Sequence, residues 1–564
     1  MIGQASTAPP ELADQVATIR GVFASGRTRA VDWRLRQLRG IERLLDENED
    51  QIATALAQDL GRERAEAWLG DIASTRGEAE FARKHLGRWM KRKKQRVPLS
   101  QRPGSAWVQY EPLGVVLIIA PWNYPVYLSL GPLVAAVAAG NCAVLKPSEL
   151  APATSVLLAR LIPQYLDPDA IAVVEGAADT TQQLLSLGFD HALFTGGTAI
   201  GSKIMASAAS TLTPVTLELG GKSPVIVTAD ADLDVTARRI AWGRLLNSGQ
   251  TCVAPDYVLA EKSIKPELVR LIVDNVTAFR TGNDMGMRIV NERQFDRLVG
   301  YLEATKGEIA IGGHSDRDSL TIAPTVIVTA DADLDVTARR IAWGRLLNSG
   351  QTCVAPDYVL AEKSIKSELV RLIVDNVTAF RTGNDMGMRI VNERQFNRLV
   401  GYLEATKGEI AVGGHSDRDS LTIEPTVIVD PDPDEPAMTD EIFGPILPVI
   451  EVDSVDQAIS FANGRPKPLA LYVFSGSKST GRRIVDSVPA GGAVLNHVAM
   501  HLLVPQLPFG GVGHSGMGSY HGEWGFQALS HRKAVLAKTT KPDLKLLYPP
   551  YTEKGLKIMR RILG

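Results

Sequence analysis

Short apolar runs alternate with helix-length segments from Gly114 onward, and this alternation constrains the fold more than any other feature of the chain. The apolar runs are residues 115–120, 143–145, 171–174 and 192–195, with helices predicted through 133–137, over 154–165 and near 184. Strands that are apolar throughout are buried on both faces, which is typical of a parallel sheet covered by helices on both sides. The sequence therefore predicts an α/β fold with a parallel sheet of the kind that binds dinucleotides.

The totals exclude several classes of protein. A chain of 564 residues suits two or three domains, and a formal net charge of −2 gives no electrostatic reason to expect nucleic-acid or membrane binding. Three cysteines are too few for a disulfide framework and favour a reducing compartment. No apolar segment of signal-peptide length opens the chain, and no apolar run reaches the roughly 20 residues of a membrane span. We therefore expect a cytoplasmic protein.

The first hundred residues contain apolar side chains at helical spacing and carry no evident chemistry. Leu35, Leu38, Ile41 and Leu45 recur with this period, so helices are predicted that cover another part of the fold. The basic run at residues 91–96 is expected to be a solvated helix end. At the other terminus, residues 554–564 are basic and amphipathic, so any membrane contact would be peripheral.

Polar residues follow the first two predicted strands of the parallel sheet. Trp122 and Asn123 come after the first strand, and Lys146 and Glu149 come after the second. Ligands of such sheets bind at the carboxyl ends of the strands. A carboxylate there can accept hydrogen bonds from ribose hydroxyls, and a neighbouring lysine can reach ribose or phosphate. The alternative is an ordinary polar loop in which Ser148 shares the capping of the next helix.

A glycine-rich turn follows a later strand of the same sheet. Gly196, Thr198 and Gly201 lie in the sequence Phe-Thr-Gly-Gly-Thr-Ala-Ile-Gly, which reads as strand, turn and helix. Glycines let the backbone approach a pyrophosphate, and the start of the helix presents free N–H groups to negative charge. The spacing is not the usual Gly-x-Gly-x-x-Gly, and a plain tight turn is the alternative. Three such loops on successive strands together favour a dinucleotide site.

A carboxylate and a cysteine carry the candidate chemistry. Glu218 lies among apolar residues and glycines, a setting that raises a carboxyl pKa and suits a general base near neutral pH. Cys252 follows 34 residues later in a loop of small residues, and its thiolate would be a nucleophile for a carbonyl carbon. A buried cysteine is more often a small hydrophobic residue, as we expect for Cys142 at the start of a buried strand.

Five motifs, taken together and in this order, resemble the aldehyde dehydrogenase superfamily. They are Pro121-Trp122-Asn123, Lys146-Pro147-Ser148-Glu149, Leu217-Glu218-Leu219-Gly220-Gly221-Lys222, Gly249-Gln250-Thr251-Cys252 and Glu441-Ile442-Phe443-Gly444-Pro445. The later stretch from Pro508 to Gly522, with Ser530-His531-Arg532-Lys533, is similar to the class 3 group, which includes fatty and aromatic aldehyde dehydrogenases. The resemblance covers nearly the whole chain.

The resemblance implies a fold in three parts: a Rossmann-like parallel-sheet cofactor domain, an α/β catalytic domain and a small bridging or oligomerisation segment. It assigns residues 1–96 and 111–217 to the NAD(P)-binding domain, 218–520 to the catalytic domain, 97–110 and 521–550 to the bridging segment, and 551–564 to a basic tail. A homodimer is expected.

The resemblance also implies site roles. Cys252 would attack an aldehyde, long-chain aliphatic or aromatic, Asn123 and the cysteine N–H would hold the oxyanion, and Glu218 would activate water to release the carboxylic acid. Glu441 would bind the nicotinamide ribose, and Phe443 would lie against the cofactor. Glu149 should repel a 2′-phosphate, so NAD is the expected cofactor with NADP accepted as well. The nine histidines show no metal spacing, and no metal is expected.

The chain departs from the family pattern by an internal duplication. Residues 329–429 repeat residues 228–328 except for Pro266 against Ser367, Asp296 against Asn397, Ile311 against Val412 and Ala323 against Glu424. Cys353 is therefore an alternative nucleophile, and spacing to Glu218 favours Cys252 whereas spacing to Glu441 favours Cys353. We expect the first copy to dock beside Glu218, because it is synthesised first.

The duplication leaves other outcomes open. We expect the apolar surface of the surplus copy to lack a partner, so that it forms a loose subdomain, pairs with another subunit or aggregates. The alternatives to an active enzyme are a catalytically impaired paralogue and a misfolded product. An enzyme that transfers the acyl group to coenzyme A is disfavoured by Glu218, because such relatives lack this base.

Overall fold

The computed structural model describes most of the chain outside the repeated region. The residues described are 9–98, 101–221, 223–228, 230–245, 255, 257–260, 264–278, 307–311, 315–316, 321–322, 326–327, 358–360, 387–388, 400, 403, 406–407, 409–412, 416–417, 422–423, 426–429, 432, 438, 446–450, 454–475, 477–497, 500–541 and 548–563.

The N-terminal segment forms the predicted helices. They are Pro10–Ala24, Val31–Glu47, Glu49–Leu60, Arg64–Ala67 and Ser74–Trp89, with a 3₁₀ turn at Arg27–Arg29 and a π-helical turn at Trp68–Ala73. The helix Val31–Glu47 buries Leu38, Ile41 and Leu45 on one face, as their helical spacing predicts. These side chains belong to the same core as the parallel sheet that follows.

Five parallel strands form the predicted cofactor sheet. In spatial order they are Ile171–Val173, Cys142–Lys146, Val115–Ile119, His191–Gly196 and Val215–Leu219. The connecting helices are Tyr127–Ala139, Pro152–Tyr165, Ala178–Ser186 and Thr198–Ala209. The chain order reverses between Val115–Ile119 and His191–Gly196, and ligands of such sheets bind at this switch point. The predicted strands and helices of this region are confirmed.

A second sheet is built from strands that follow residue 223. Its described strands, in spatial order, are Val326–Ile327, Gly307–Ile311, Glu409–Val412, Thr426–Val429, Ile446–Ile450, Tyr358–Leu360, Tyr257–Ala260, Pro224–Val227, Ala470–Phe474 and Gly492–Leu495. Helices Leu233–Leu245, Lys265–Ala278, Val455–Asn463 and Lys478–Ser487 accompany these strands. The expected α/β fold, with a Rossmann-like parallel sheet and an α/β catalytic part, is therefore confirmed.

Strands from both copies of the repeat lie in this one sheet. Tyr257–Ala260 pairs in parallel with Pro224–Val227, and its counterpart Tyr358–Leu360 pairs in register on its other side. The second copy supplies Thr426–Val429, which pairs with Ile446–Ile450. The expectation that the surplus strands would lack partners is wrong for the described strands. The two copies have strands of the same sequence, which are equally apolar. The strand of the second copy can therefore be buried beside that of the first and form hydrogen bonds with it.

A long antiparallel pair joins distant parts of the sequence. Gly104–Pro112 pairs along its whole length with Ser530–Lys538, and these strands overlap the two stretches expected to form the bridging segment. The domain boundaries themselves remain a prediction. The basic run was expected to end a helix, but the helix stops at Trp89 and Lys93–Gln95 forms an exposed strand paired with residues 106–108. There Arg92 lies over the Trp107 ring, which favours an extended rather than a helical segment.

The remaining elements are short. They are strands Ser315–Asp316, Thr321–Ile322, Gly387–Met388, Ser416–Asp417, Thr422–Ile423 and Gly516–Met517, a 3₁₀ turn at Met500–Leu503, and helices Gly522–Ala528 and Glu553–Leu563. Within the described part of the chain, no helix combines the length and apolar character needed to cross a bilayer.

Removal of residues 329–429 is predicted to leave a folded protein. The first copy carries nearly the same strands as the second, and Val258 already pairs with Val449 across the position where the extra strand lies. We expect a single cooperative thermal transition at or above the temperature of the full chain, measured by circular dichroism, with an unaggregated elution profile. Aggregation of the shortened protein, beside a soluble full chain, would show instead that the fold requires both copies.

Candidate active site

Glu218 is a buried carboxyl at the carboxyl end of the last strand of the cofactor sheet. The strand Val215–Leu219 places it opposite Thr195 on one side and opposite Gly516 of a short antiparallel strand on the other. Its residue is 2% exposed, and neither carboxyl oxygen has a hydrogen-bond partner among the described residues. Burial raises the pKa of Glu218 well above its usual range, because the charged form loses its hydration.

An unpartnered carboxyl is costly to bury and is rarely kept for stability alone. Burying such a group without a hydrogen bond costs about 1–3 kcal/mol by mutational measures. The hydroxyl oxygen of Thr195, directly across the sheet, is also buried without a partner in the described part of the chain. Two neighbouring orphaned polar groups at a strand end are the expected environment of a site that receives water or substrate.

Asn123 lies in the turn between the strand Val115–Ile119 and the helix Tyr127–Ala139, at the same edge of the sheet as Glu218. The residue is 4% exposed. Its backbone carbonyl accepts a hydrogen bond from Arg62, and the backbone N–H groups of Val126 and Tyr127 donate to Asp71. A buried turn fixed from both ends holds its side chain in one orientation.

Lys146 and Glu149 form an ion pair after the second strand of the cofactor sheet. Lys146 is 3% exposed, and its Nζ lies 3.0 Å from Glu149 Oε2 and 2.8 Å from the carbonyl oxygen of Gly176. The Glu149 side chain is 43% exposed and so keeps acceptor capacity toward the surface. This arrangement fits an adenosine ribose, with the carboxylate as acceptor and the lysine as its anchor.

In the glycine-rich turn, the space beside Gly197 is open to a ligand, whereas the spaces beside Gly196 and Gly201 are occupied by other side chains. A Cβ at Gly197 would meet nothing within 4 Å, whereas a Cβ at Gly196 would lie 2.4 Å from the Phe194 ring. A Cβ at Gly201 would lie 2.6 Å from Leu219, so this glycine permits close contact between helix and sheet.

The helix that starts at Thr198 carries no side-chain cap, and the Thr198 hydroxyl donates to the carbonyl oxygen of His514 at 3.1 Å. An uncapped helix start beside an open backbone position fits a pyrophosphate. Trp122, which precedes Asn123, is partly buried against the core.

An aromatic cluster that the sequence reasoning did not assign lies beside the Asn123 turn. The His521 ring stacks on Phe509 with centroids 5.2 Å apart, meets Tyr520 edge-on at 4.6 Å, and its Nε2 lies 3.1 Å from the Tyr127 hydroxyl. Burial, with His501 nearby, lowers the pKa of His521 to about 3, so the ring is neutral at physiological pH. The Ser-Tyr-His-Gly motif supported the family resemblance, but nothing in its spacing indicated this contact.

Four predicted site residues lie outside the described residues: Cys252, Cys353, Glu441 and Phe443. The remaining cysteine, Cys142, is fully buried, and burial raises the pKa of its thiol to about 12. It is therefore a protonated core residue at neutral pH, as expected. Among the described residues no group of three or more His, Cys, Asp or Glu side chains is arranged to hold a metal ion.

The parallel sheet brings Glu149, the glycine-rich turn at Gly196 and the buried Glu218 to the carboxyl ends of its strands. This arrangement is typical of a dinucleotide-dependent enzyme that uses acid–base chemistry. The family model described as the aldehyde dehydrogenase family matches residues 4–328 and again residues 325–535. The second match begins where the first ends, at the junction of the two repeats.

Curated relatives and solved structures agree with this match. Aldehyde dehydrogenase family 3 member A2 of Mus musculus is 39% identical over 96% of this chain and 91% of its own length. The dimeric NADP-preferring aldehyde dehydrogenase of Rattus norvegicus is 37% identical over 96% and 98%. The substrate-bound structure of Staphylococcus aureus AldH has a TM-score of 0.74 at 33% identity and covers 98% of this chain and 99% of that one.

The chain belongs to the aldehyde dehydrogenase family, and it is an NAD(P)-dependent aldehyde dehydrogenase. The resemblance inferred from the motifs, including the likeness to the class 3 group, is thereby confirmed. The roles of individual site residues remain predictions.

Replacement of Glu218 by glutamine is predicted to change how stability depends on pH. The folded-state pKa of this carboxyl is raised, so above the unfolded value of about 4.3 the folded state binds more protons, and the free energy of unfolding falls as pH rises. Glu218→Gln removes that loss. Measured between pH 5 and pH 9, its thermal midpoint relative to the wild type should therefore rise with pH until the folded-state pKa is passed, and then level off.

Glu11→Gln makes the same substitution at an exposed carboxyl and serves as the matched control. A Glu218→Gln curve that runs parallel to the wild type over this range would contradict a raised pKa.

Proposed function

We propose that this enzyme oxidises long-chain aliphatic or aromatic aldehydes to carboxylic acids with Cys252 as nucleophile, Asn123 as oxyanion donor and Glu218 as general base. The observation that carries the proposal is the unpartnered, buried carboxyl of Glu218 at the ligand edge of the cofactor sheet. A base whose pKa is raised binds a proton strongly when water is deprotonated, and its burial keeps bulk water away from a reactive acyl group.

In the first step the Cys252 thiolate forms a carbon–sulfur bond to the aldehyde carbon, and the carbonyl electron pair moves to oxygen. The amide of Asn123 and the backbone N–H of the cysteine donate to this oxyanion, each contributing about 3 kcal/mol by comparison with other oxyanion holes. The buried position of Asn123 strengthens its hydrogen bond, because little water competes for the oxyanion.

In the second step the oxyanion electron pair re-forms the carbonyl, and a hydride leaves the carbon, giving a thioester on the cysteine. NAD(P)⁺, when bound, supplies the hydride acceptor. Glu218 then takes a proton from water, hydroxide adds to the thioester carbon, and the thiolate leaves to give the acid. The presence of this base favours hydrolysis over transfer of the acyl group to coenzyme A.

The strand pairing supports Cys252 over Cys353. Tyr257–Ala260 begins five residues after Cys252 and pairs directly with Pro224–Val227, the strand that follows Glu218 in the chain. The strand Tyr358–Leu360, five residues after Cys353, is one position further away in the sheet. The first copy, which contains Cys252, therefore lies nearer in the sheet to the strand that follows Glu218.

NAD is the proposed preferred cofactor, and NADP is accepted. The Glu149 carboxylate at the ribose edge disfavours a 2′-phosphate, while its pairing with Lys146 partly offsets this charge. Gly196 and Thr198 would serve the pyrophosphate, with Glu441 on the nicotinamide ribose and Phe443 against the cofactor by analogy with the family. Gly201 would act by keeping the helix close to the sheet.

The assembly and location are also proposals. A homodimer is supported by the rat relative whose name includes the word dimeric and by the long strand Ser530–Lys538, which lies at the edge of a three-stranded sheet. Such an edge can pair with a second copy. We infer a cytoplasmic location from the low cysteine content.

Three variants test the proposed chemistry by following NADH formation from long-chain and aromatic aldehydes. Cys252→Ala should abolish turnover, whereas Cys353→Ala should retain it. Glu218→Gln should release about one equivalent of NADH per active site in a rapid first turnover and then slow by roughly 10²-fold, because hydrolysis loses its base.

Loss of turnover in Cys353→Ala alone would assign the site to the second copy. Full activity in both cysteine variants would eliminate a single-cysteine mechanism, and product formation that requires coenzyme A would replace hydrolysis by acyl transfer.

A further inference from the structure

Arg62 and Asp71 form a fully buried ion pair in the N-terminal helical segment. Their side chains are 1% and 0% exposed, and Arg62 Nη1 donates to Asp71 Oδ2. Asp71 lies in the π-helical turn Trp68–Ala73, a local irregularity that often accompanies functional sites. Neither residue belongs to a motif that the family resemblance used.

The other arm of the arginine reaches the turn that carries Asn123. Arg62 Nη2 donates to the backbone carbonyl oxygen of Asn123, and the guanidinium lies over the Tyr124 ring, 4.4 Å from its centroid. A planar guanidinium can hold a carboxylate and a carbonyl in fixed directions at the same time. The peptide unit after Asn123 is thereby fixed in space.

The other oxygen of the aspartate fixes the far end of the same turn. Asp71 Oδ1 accepts from the N–H of Val126 at 2.9 Å and from the N–H of Tyr127 at 2.8 Å, where the helix Tyr127–Ala139 begins. No side chain within that helix caps its start. The Asp71 carboxylate therefore replaces the missing cap, and its negative charge interacts favourably with the positive end of the helix dipole.

The Arg62–Asp71 pair is expected to add little to the stability of the fold, but it fixes the geometry of the Asn123 turn. Desolvating two charges costs several kcal/mol, and apolar replacements of buried ion pairs are often neutral or stabilising. What an apolar pair cannot provide is three directed hydrogen bonds to one five-residue turn. Crowding increases the constraint, since a Cβ at Gly70 would lie 2.8 Å from the Tyr124 ring.

We propose that Arg62 and Asp71 are positioning residues that hold the Asn123 amide in the orientation needed to stabilise the oxyanion. They touch neither substrate nor cofactor and act only through the turn. This inference deepens the proposed function and rests on the assignment of Asn123 as oxyanion donor.

The test uses acylation of the enzyme by p-nitrophenyl acetate without cofactor, because this step needs the thiolate and the oxyanion donor but no hydride transfer. Asn123→Ala should slow the rate of p-nitrophenolate release by about 10²-fold. Arg62→Lys, which keeps the charge opposite Asp71 but loses the forked geometry, should slow it by at least about tenfold. Asp71→Asn should act in the same direction.

A double-mutant cycle separates positioning from a general loss of structure. In the Asn123→Ala background, Arg62→Lys should have almost no further effect on acylation, because the group that it orients is gone. Effects that multiply independently in the double variant would overturn the proposal.

Two controls make the outcome decisive. Arg34 is a buried arginine of the helix Val31–Glu47. It contacts the far end of the helix Tyr127–Ala139, where it donates to the carbonyl oxygen of Ala138 at 3.0 Å. Arg34→Lys should lower the thermal midpoint without changing the acylation rate. Alkylation of the cysteine by iodoacetamide forms no oxyanion, so its rate should be unchanged in Arg62→Lys.

A wild-type enzyme that is alkylated but never acylated would count against the proposed function itself. Normal acylation in Arg62→Lys, with slow acylation in Asn123→Ala, would overturn only the positioning role.

Discussion

The burial of one carboxyl without a partner is the constraint on which the site depends. Glu218 is 2% exposed, and its charge is disfavoured because no donor among the described residues compensates for the lost hydration. The strand Val215–Leu219 ends the cofactor sheet, and Pro224–Val227 starts the chain's path through the second sheet. Glu218 therefore lies where the chain passes from the first sheet to the second.

The parallel sheet gathers the other groups at the same edge. Asn123, Glu149 and Thr198 follow three different strands, yet all lie beyond carboxyl ends, because parallel strands run in one direction. The strand order reverses between Val115–Ile119 and His191–Gly196, which opens the crevice for the cofactor. Lys146, the last residue of its strand, holds Glu149, and the Arg62–Asp71 pair holds the Asn123 turn from outside the sheet.

The sequence was sufficient for the elements that depend on local periodicity. The strand Val115–Ile119 and the helix Pro152–Tyr165 were predicted because their burial is expressed as an unbroken apolar run or a helical repeat. The apolar neighbours of Glu218 likewise predicted the direction of its pKa.

Arg62 and Asp71 could not be found in this way, since their partners lie more than fifty residues away and their side chains look like surface charges in sequence. The contact between His521 and Tyr127 was missed for the same reason.

The two copies of the repeat contribute strands to the same sheet. The apolar surface of the surplus copy was expected to lack a partner, but the described surplus strands are paired, because a parallel sheet presents the same hydrogen-bonding edge at every step. Tyr257–Ala260 and Tyr358–Leu360 have the same sequence and lie side by side in register. Hydrogen bonding and apolar burial alone cannot distinguish the copies, so the proposal of Cys252 as nucleophile rests on the continuity of the first copy with Glu218.

The most direct test of this account is to locate the acyl group that a slowed enzyme accumulates. Glu218→Gln protein is mixed with aldehyde and NAD⁺, quenched and cleaved after arginine only. This cleavage gives peptides 245–270 and 346–371, which contain Cys252 and Cys353 and differ by Pro266 against Ser367. With Cys252 as the nucleophile, the Pro266 peptide should gain the mass of one acyl group. An acyl group on the Ser367 peptide alone, or on neither peptide after NADH has formed, would contradict it.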